Sequence, residues 1–251
     1  MISEFPLFVF TTFAGIAAGA YVIAALFPRE PEDRHAWLFP LGLLVLLGIG
    51  LLGCLMHLQH PERFLNALFN PTAGITLEAY FSLLFGLTLL VEVILLLAKK
   101  KVPCWLHVLG SLIAFALTCI MGYAYYISYG VEAWGSWATV PLFFVGDLAM
   151  GAGLCGLIWG NLYTRRPFIL ASFVIEALLA GVLIMEAVHF SEMGLSPVPF
   201  VVALVVAPAV TIGFTCVAQK KASPVLTALI CFCAIAGVMI ARYAFYAAYV
   251  L

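Results

Sequence analysis

Two histidines, an arginine and two carboxylates gather in the stretch Leu55–Glu78, at His57, His60, Glu62, Arg63 and Glu78, between two long apolar runs. Three of them, His57, Arg63 and Glu78, are placed to meet where one apolar run ends and the next begins. A histidine accepts a proton near neutral pH with no help from its surroundings. A carboxylate in a dry pocket can share that work as a general base. Such a set suits a lipid-soluble substrate that gives up protons and electrons together, and a quinol is the obvious one. Its oxidation releases two protons and two electrons, and its ring oxygens need hydrogen-bond partners. His57 and Glu78 are therefore the expected catalytic pair, as proton acceptor and hydrogen-bond partner. Each residue also has a plainer reading. His57 can cap its helix, Arg63 can snorkel toward lipid headgroups, and Glu78 can be an acid at a helix N-terminus.

The elements that must position these residues follow from hydropathy. The chain is 65% apolar and 9% charged with mean hydropathy +1.17, against roughly 25% charged in soluble domains. A spanning helix needs about 20 apolar residues, and eight runs qualify: 5–27, 37–58, 76–97, 105–129, 140–162, 168–189, 198–217 and 225–249. The fold expected is an all-α integral membrane bundle of eight helices in a single domain. Small residues in 14–20 and again in 146–152 permit close helix approach, and they hint at two four-helix halves, 1–130 and 131–251. No small-residue cleavage pattern follows Phe27, so no removable signal peptide is expected.

Nine of the eleven basic residues (Arg29, Arg34, Lys99, Lys100, Lys101, Arg165, Arg166, Lys220 and Lys221) fall after the odd-numbered runs. The positive-inside rule then puts both termini and the 55–78 stretch on the outer, periplasmic side. Trp37, Trp105 and Trp159 near inner ends, with Trp134 and Trp137 near outer ends, read as aromatic belts. Pro61 can start a short helix and Asn70-Pro71 stop one, so 61–69 reads as a helix lying flat at the interface. A net charge of −1 gives no reason to expect nucleic acid.

Ionisable residues within spans are functional candidates by default. Asp147, Glu186, His189, Arg242 and Tyr246 all fall at the same outer level as His57 and Glu78, and with Arg63 they make up the expected quinol-binding lining. Arg242 paired with Asp147 or Glu186 as a purely structural unit is the alternative. Glu176 and Glu92 lie deeper, and Glu92, two turns from Lys99, reads as a boundary charge. The spacing Glu186-x-x-His189 is half of a di-iron motif without its second copy. The seven cysteines form no C-x-x-C. No metal and no haem are expected on this chain. A haem-b anchor is the runner-up, since His57 and His189 share a level, and a secondary transporter with midplane ligands on broken helices is a further one.

The motifs Glu4-Phe-Pro-Leu-Phe-Val-Phe-Thr-Thr-Phe13, Met56-His-Leu-Gln-His-Pro61 with Phe64-x-Asn66-x-Leu68, the acid Glu78 opening the third span, and Ala241-Arg-Tyr-Ala-Phe-Tyr246 resemble the membrane-anchor subunit of bacterial dimethyl sulfoxide reductases. That family sits within the wider anchors of molybdopterin oxidoreductases. Gln59 departs from it where glycine is usual. The resemblance implies a multi-pass anchor in the bacterial inner membrane that serves anaerobic respiration. It also implies menaquinol oxidation near the periplasmic face, with His57 and Glu78 matching the residues implicated in menaquinol binding and Arg242 matching the arginine of the last helix. The implied partners are a four-cluster iron–sulfur subunit and a molybdopterin catalytic subunit, both on the periplasmic face.

Overall fold

The structure, a computed structural model, describes residues 4–28, 35–57, 69–70, 72–128 and 130–250. Among these residues there is no strand. Eight helices are long and apolar enough to cross a membrane. They are α1 (Phe5–Leu26), α2 (Leu38–His57), α3 (Gly74–Leu97), α4 (Cys104–Tyr126), α5 (Thr139–Ile158), α6 (Arg166–Glu192), α7 (Val198–Ala218) and α8 (Pro224–Ala247). All eight hydropathic runs become helices, because a backbone inside lipid must satisfy its own hydrogen bonds. Of the proposed interfacial helix 61–69, only Phe69 is among the described residues, and it sits in a turn.

Local chemistry marks the helix ends. Proline occupies the first turn of α1, α6, α7 and α8, where its missing N–H has no partner to lose. The Ser223 hydroxyl caps α8 by accepting from the Leu226 N–H at 3.2 Å. Beyond α6, Gly194 takes φ 74° and the chain reverses through Leu195 N–H donating to Phe190 O at 2.8 Å, which places the left-handed residue where glycine costs least. Inside α7, Pro208 removes a backbone donor, and the turn Val205–Ala209 widens to a π-helical one. The Thr211 hydroxyl bonds Ala207 O there.

Each run of four helices closes on itself. α1 packs on α2, α2 on α3, α3 on α4 and α4 on α1, and the order α5–α6–α7–α8 closes in the same way. The two groups meet chiefly through α1 against α5, with α4 on α5 and α1 on α8 at the flanks. The small-residue runs 14–20 and 146–152 face each other across this seam. A methyl on Gly15 would overlap the Asp147 carboxylate, one on Gly19 the Asp147 carbonyl, and one on Gly151 the backbone of Gly19. As a result α1 and α5 are far more enclosed than the other six helices.

Two expectations need correction here. Trp134 is not a belt residue, since it is 4% exposed and donates its indole N–H to Phe245 O at 2.8 Å. It lies under the 3₁₀ turn Glu132–Trp134, stacked on Phe245 at 5.5 Å. Glu92 is not a boundary charge either. It is 2% exposed, takes a hydrogen bond from the Tyr21 hydroxyl, and lies 3.0 Å from His107 Nδ1.

Candidate quinol site

Glu78 stands in the second turn of α3, 4% exposed, and its Oε1 has no hydrogen-bond partner among the described residues. Leaving a buried polar atom unpaired costs about 1–3 kcal/mol, so an unpaired carboxylate oxygen at the end of a bundle is a place where a ligand atom belongs. Around it, Cys54 of α2 and the hydroxyls of Tyr125 (α4) and Tyr246 (α8) are near enough to interact with it electrostatically. The Tyr125 and Tyr246 rings lie 5.3 Å apart and edge-on. Tyr246 Oη also pairs with Thr11 Oγ1 of α1 at 3.0 Å. Residues of five helices therefore gather around Glu78 at the end of the bundle that carries both termini.

Behind Tyr246 lies a buried ion pair. Arg242 Nη2 donates to Asp147 Oδ1 at 2.6 Å and to Phe143 O at 3.2 Å, and Nη1 donates to Thr11 O at 2.7 Å. Both side chains are 0% exposed, and the guanidinium lies 4.7 Å above the Phe143 ring. Asp147 fits because Gly15 has no side chain. The pair thus pins α8 and α5 to the backbone of α1, one turn below Tyr246. Of the two partners that the sequence leaves open for Arg242, the structure selects Asp147.

Glu186 and His189 fall elsewhere. Glu186 is 0% exposed and accepts from the Thr139 hydroxyl at 3.4 Å. Among the described residues no hydrogen bond or ion pair joins it to Arg242, Asp147 or Glu78. Trp134, Phe245 and Tyr125 form the aromatic wall beside the Glu78 group. The single hydrogen of that Thr139 hydroxyl is shared with Trp134 O, the nearer acceptor at 2.8 Å. His189 is half-buried one turn further along α6, with its Nε2 buried and unpaired. The sequence-derived lining is thus divided, with Glu78, Tyr246, Arg242 and Asp147 on one side and Glu186 with His189 on the other. His57 is the last residue of α2, three beyond Cys54, and its side chain lies outside the described residues, as do His60, Glu62 and Arg63 entirely. Among the described residues no three His, Cys, Asp or Glu side chains come together as a metal-binding group.

Residues 1–196 match the family model described as DMSO reductase anchor subunit (DmsC). The chain belongs to that family. It is 28% identical over 222 residues to the C subunit of the anaerobic dimethyl sulfoxide reductase of Escherichia coli (strain K12), covering 83% of this chain and 68% of the relative. It is 26% identical over 205 residues to YnfH, an anaerobic dimethyl sulfoxide reductase subunit of the same organism, covering 76% and 70%. As a DmsC-family anchor with eight apolar spans it is a multi-pass inner-membrane protein and a subunit of an oxidoreductase complex. The family anchors a molybdopterin catalytic subunit and an iron–sulfur subunit.

The sequence places Tyr125 at the outer level together with Tyr123, Tyr126 and Tyr129 and does not single it out, and Thr11 looks like an ordinary helical residue until α4, α8 and α1 are brought together. Trp134 looks like an interface anchor. The only signal for Tyr125 is its place at the outer end of α4, which it shares with Tyr123, and Tyr123 is 45% exposed.

Proposed function

We propose that this anchor subunit binds and oxidises menaquinol at the Glu78 pocket, and that electrons leave from that end of the bundle to an iron–sulfur partner. The observation that carries the reading is the Glu78 carboxyl, buried at a helix end with Oε1 unpaired among the described residues and with Tyr125 and Tyr246 near enough to interact with it electrostatically. The basic residues at the opposite end, among them Lys99–Lys101, Lys220 and Lys221, all exposed, support placing this end on the periplasmic side by the positive-inside rule.

The substrate supplies two electrons and two protons. Glu78 accepts a proton at Oε1, and His57, at the adjoining end of α2, takes the other. Tyr246 and Tyr125 hold a ring oxygen by hydrogen bonds, and Thr11 fixes the orientation of the Tyr246 hydroxyl. Arg242 and Asp147 brace α8 so that Tyr246 keeps its position, which makes them positioning residues in this reading. Arg63, in the 55–78 connection, is assigned to the same lining from its sequence position alone. Glu186 and His189 stand apart as a separate polar pair.

The test uses the assembled complex and a fluorescent menaquinol-analogue inhibitor. Glu78→Gln and His57→Ala are expected to abolish quenching and to lower quinol-driven reduction of the partner's clusters by about 10²–10⁴-fold, the range for one proton-transferring group. Dithionite should still reduce those clusters. Wild-type binding and turnover in both variants would overturn the site.

A further inference from the structure

α5 is enclosed by α1, α4, α6 and α8, so the loop feeding its first residue emerges inside the cross-section of the bundle, away from its lipid rim. Trp137 lies two residues before that start and is 81% exposed. Its chain neighbours Ser136 and Ala138 are 7% and 0% exposed, so the indole stands out from a backbone that is packed down. Tyr126, the last residue of α4, lies against it with rings 5.8 Å apart. Tyr249, half-exposed, stacks on the buried Trp134 at 5.9 Å. Beneath them is the Tyr125–Phe143–Phe245–Tyr246 cluster that walls the Glu78 pocket. A tryptophan at a lipid interface has an apolar neighbour in the acyl chains. One raised over the middle of the bundle end has water, unless a protein covers it.

Charge points to the same kind of covering. At this end Glu132 and Glu192 are exposed, and no exposed Lys or Arg occurs among the described residues there. By sequence the connections and helix ends on this side carry Glu4, Glu62, Glu132 and Glu192 against Arg63 alone. An exposed aromatic anchor within an acidic rim is the arrangement of an interface hot spot, and its partner must be basic around an apolar socket. Glu78 is only about one turn of helix from the end of α3 on this side, so an electron acceptor seated at this end lies on the same side of the bundle as Glu78.

We propose that Trp137, flanked by Tyr126 and Tyr249, is the docking point for the electron-accepting partner subunit, which presents an apolar socket with a basic rim. This rests on the reading of the Glu78 pocket as the site where electrons originate. The test measures retention of the iron–sulfur partner on membranes holding the native complex, washed at rising salt, for wild type, Trp137→Ala and Trp105→Ala. Trp105 is 65% exposed at the other end of the bundle and serves as the control. The expected result is about thirtyfold weaker retention for Trp137→Ala, the loss typical of one aromatic hot spot, and an unchanged Trp105→Ala. Weaker retention at higher salt in the wild type is also expected. Wild-type retention in Trp137→Ala would overturn the docking point, and so would equal loss in both variants. Binding of the menaquinol analogue, measured in the same membranes, reports on the pocket separately. If wild-type membranes fail to bind it, the functional reading falls whatever the retention shows.

Discussion

Glu78 and Glu92 sit on one helix, about four turns apart, on the same buried stripe of α3. Their surroundings are opposite. Glu92 is held by Tyr21 from α1 and His107 from α4, with His107 reaching the surface at 49% exposure. Gly110 gives Tyr21 room, since a methyl there would press on the Tyr21 hydroxyl at 2.6 Å. Glu92 thus clasps three helices through its Oε1. Glu78 has tyrosines nearby and an oxygen that is unpaired among the described residues. Between the two carboxyls the stripe is filled by Phe85 and Leu89, both 0% exposed, so one end is dry packing around a closed network and the other is an open-ended one. The lesson is that a buried charge in a membrane becomes a site candidate by what it lacks. Burial and residue type are the same for both.

If that division holds, substitutions in the bracing networks should act first on stability, and substitutions at Glu78 should abolish quinol binding at little cost in stability. The largest expected loss is at the Arg242–Asp147 pair. Arg242→Ala leaves Asp147 buried with no counter-charge and should destabilise the protein by about 3–5 kcal/mol, read from unfolding titrations in detergent. Replacing both partners, Asp147→Leu with Arg242→Met, should recover most of that loss, because the desolvation penalty goes with the pair. A stable Arg242→Ala protein that fails only to bind the menaquinol analogue would move Arg242 from brace to ligand and break the comparison.

The closed network at the far end comes next. Tyr21→Phe removes the donor to a buried carboxylate and should cost about 1.5–3 kcal/mol, with analogue binding unchanged. Glu78→Gln, by contrast, should leave the unfolding midpoint near wild type while binding is lost. Equal stability losses for the two would erase the distinction between the ends. Gly15→Ala should cost about 1–3 kcal/mol by overpacking, since its methyl would overlap the Asp147 carboxylate. Gly181→Ala on α6, where nothing lies within 4 Å of the added carbon, should instead stabilise by about 0.5–1 kcal/mol.

These contrasts also mark what the sequence can and cannot reveal. Hydropathy alone shows all eight spans, because lipid leaves the chain one local solution at each. The small residues at 14–20 and 146–152 announce close approach, and Gly15, Gly19 and Gly151 prove to face one another. The identity of neighbours across helices is not local, and the errors collect there. Glu92 reads as a boundary charge because Lys99 is near it in sequence, whereas Tyr21 and His107 are near it only in space. Trp134 reads as a belt residue because its position along the chain says nothing of the fold of the 130–138 connection. Arg242 has two acids at its level, and only the α1–α5–α8 packing decides between them. Pro208 is the one visible sign of the π-helical turn in α7.

The smallest effect sharpens the comparison inside the open pocket itself. Thr11 belongs to both networks, since its carbonyl takes Arg242 Nη1 at 2.7 Å and its hydroxyl meets Tyr246 Oη at 3.0 Å. Thr11→Val keeps the carbonyl and the shape but removes the hydroxyl, so the Arg242 brace stays intact. The stability cost should be about 0.5–1.5 kcal/mol, that of one neutral hydrogen bond. If Tyr246 is positioned through Thr11, the freed phenol turns more readily to Tyr125, and analogue affinity should fall several-fold while Arg242-dependent stability does not. Tyr246→Phe then removes the phenol altogether, and adding Thr11→Val to it should change affinity no further. Independent, additive losses would show that Thr11 acts on the pocket by a route other than the Tyr246 hydroxyl.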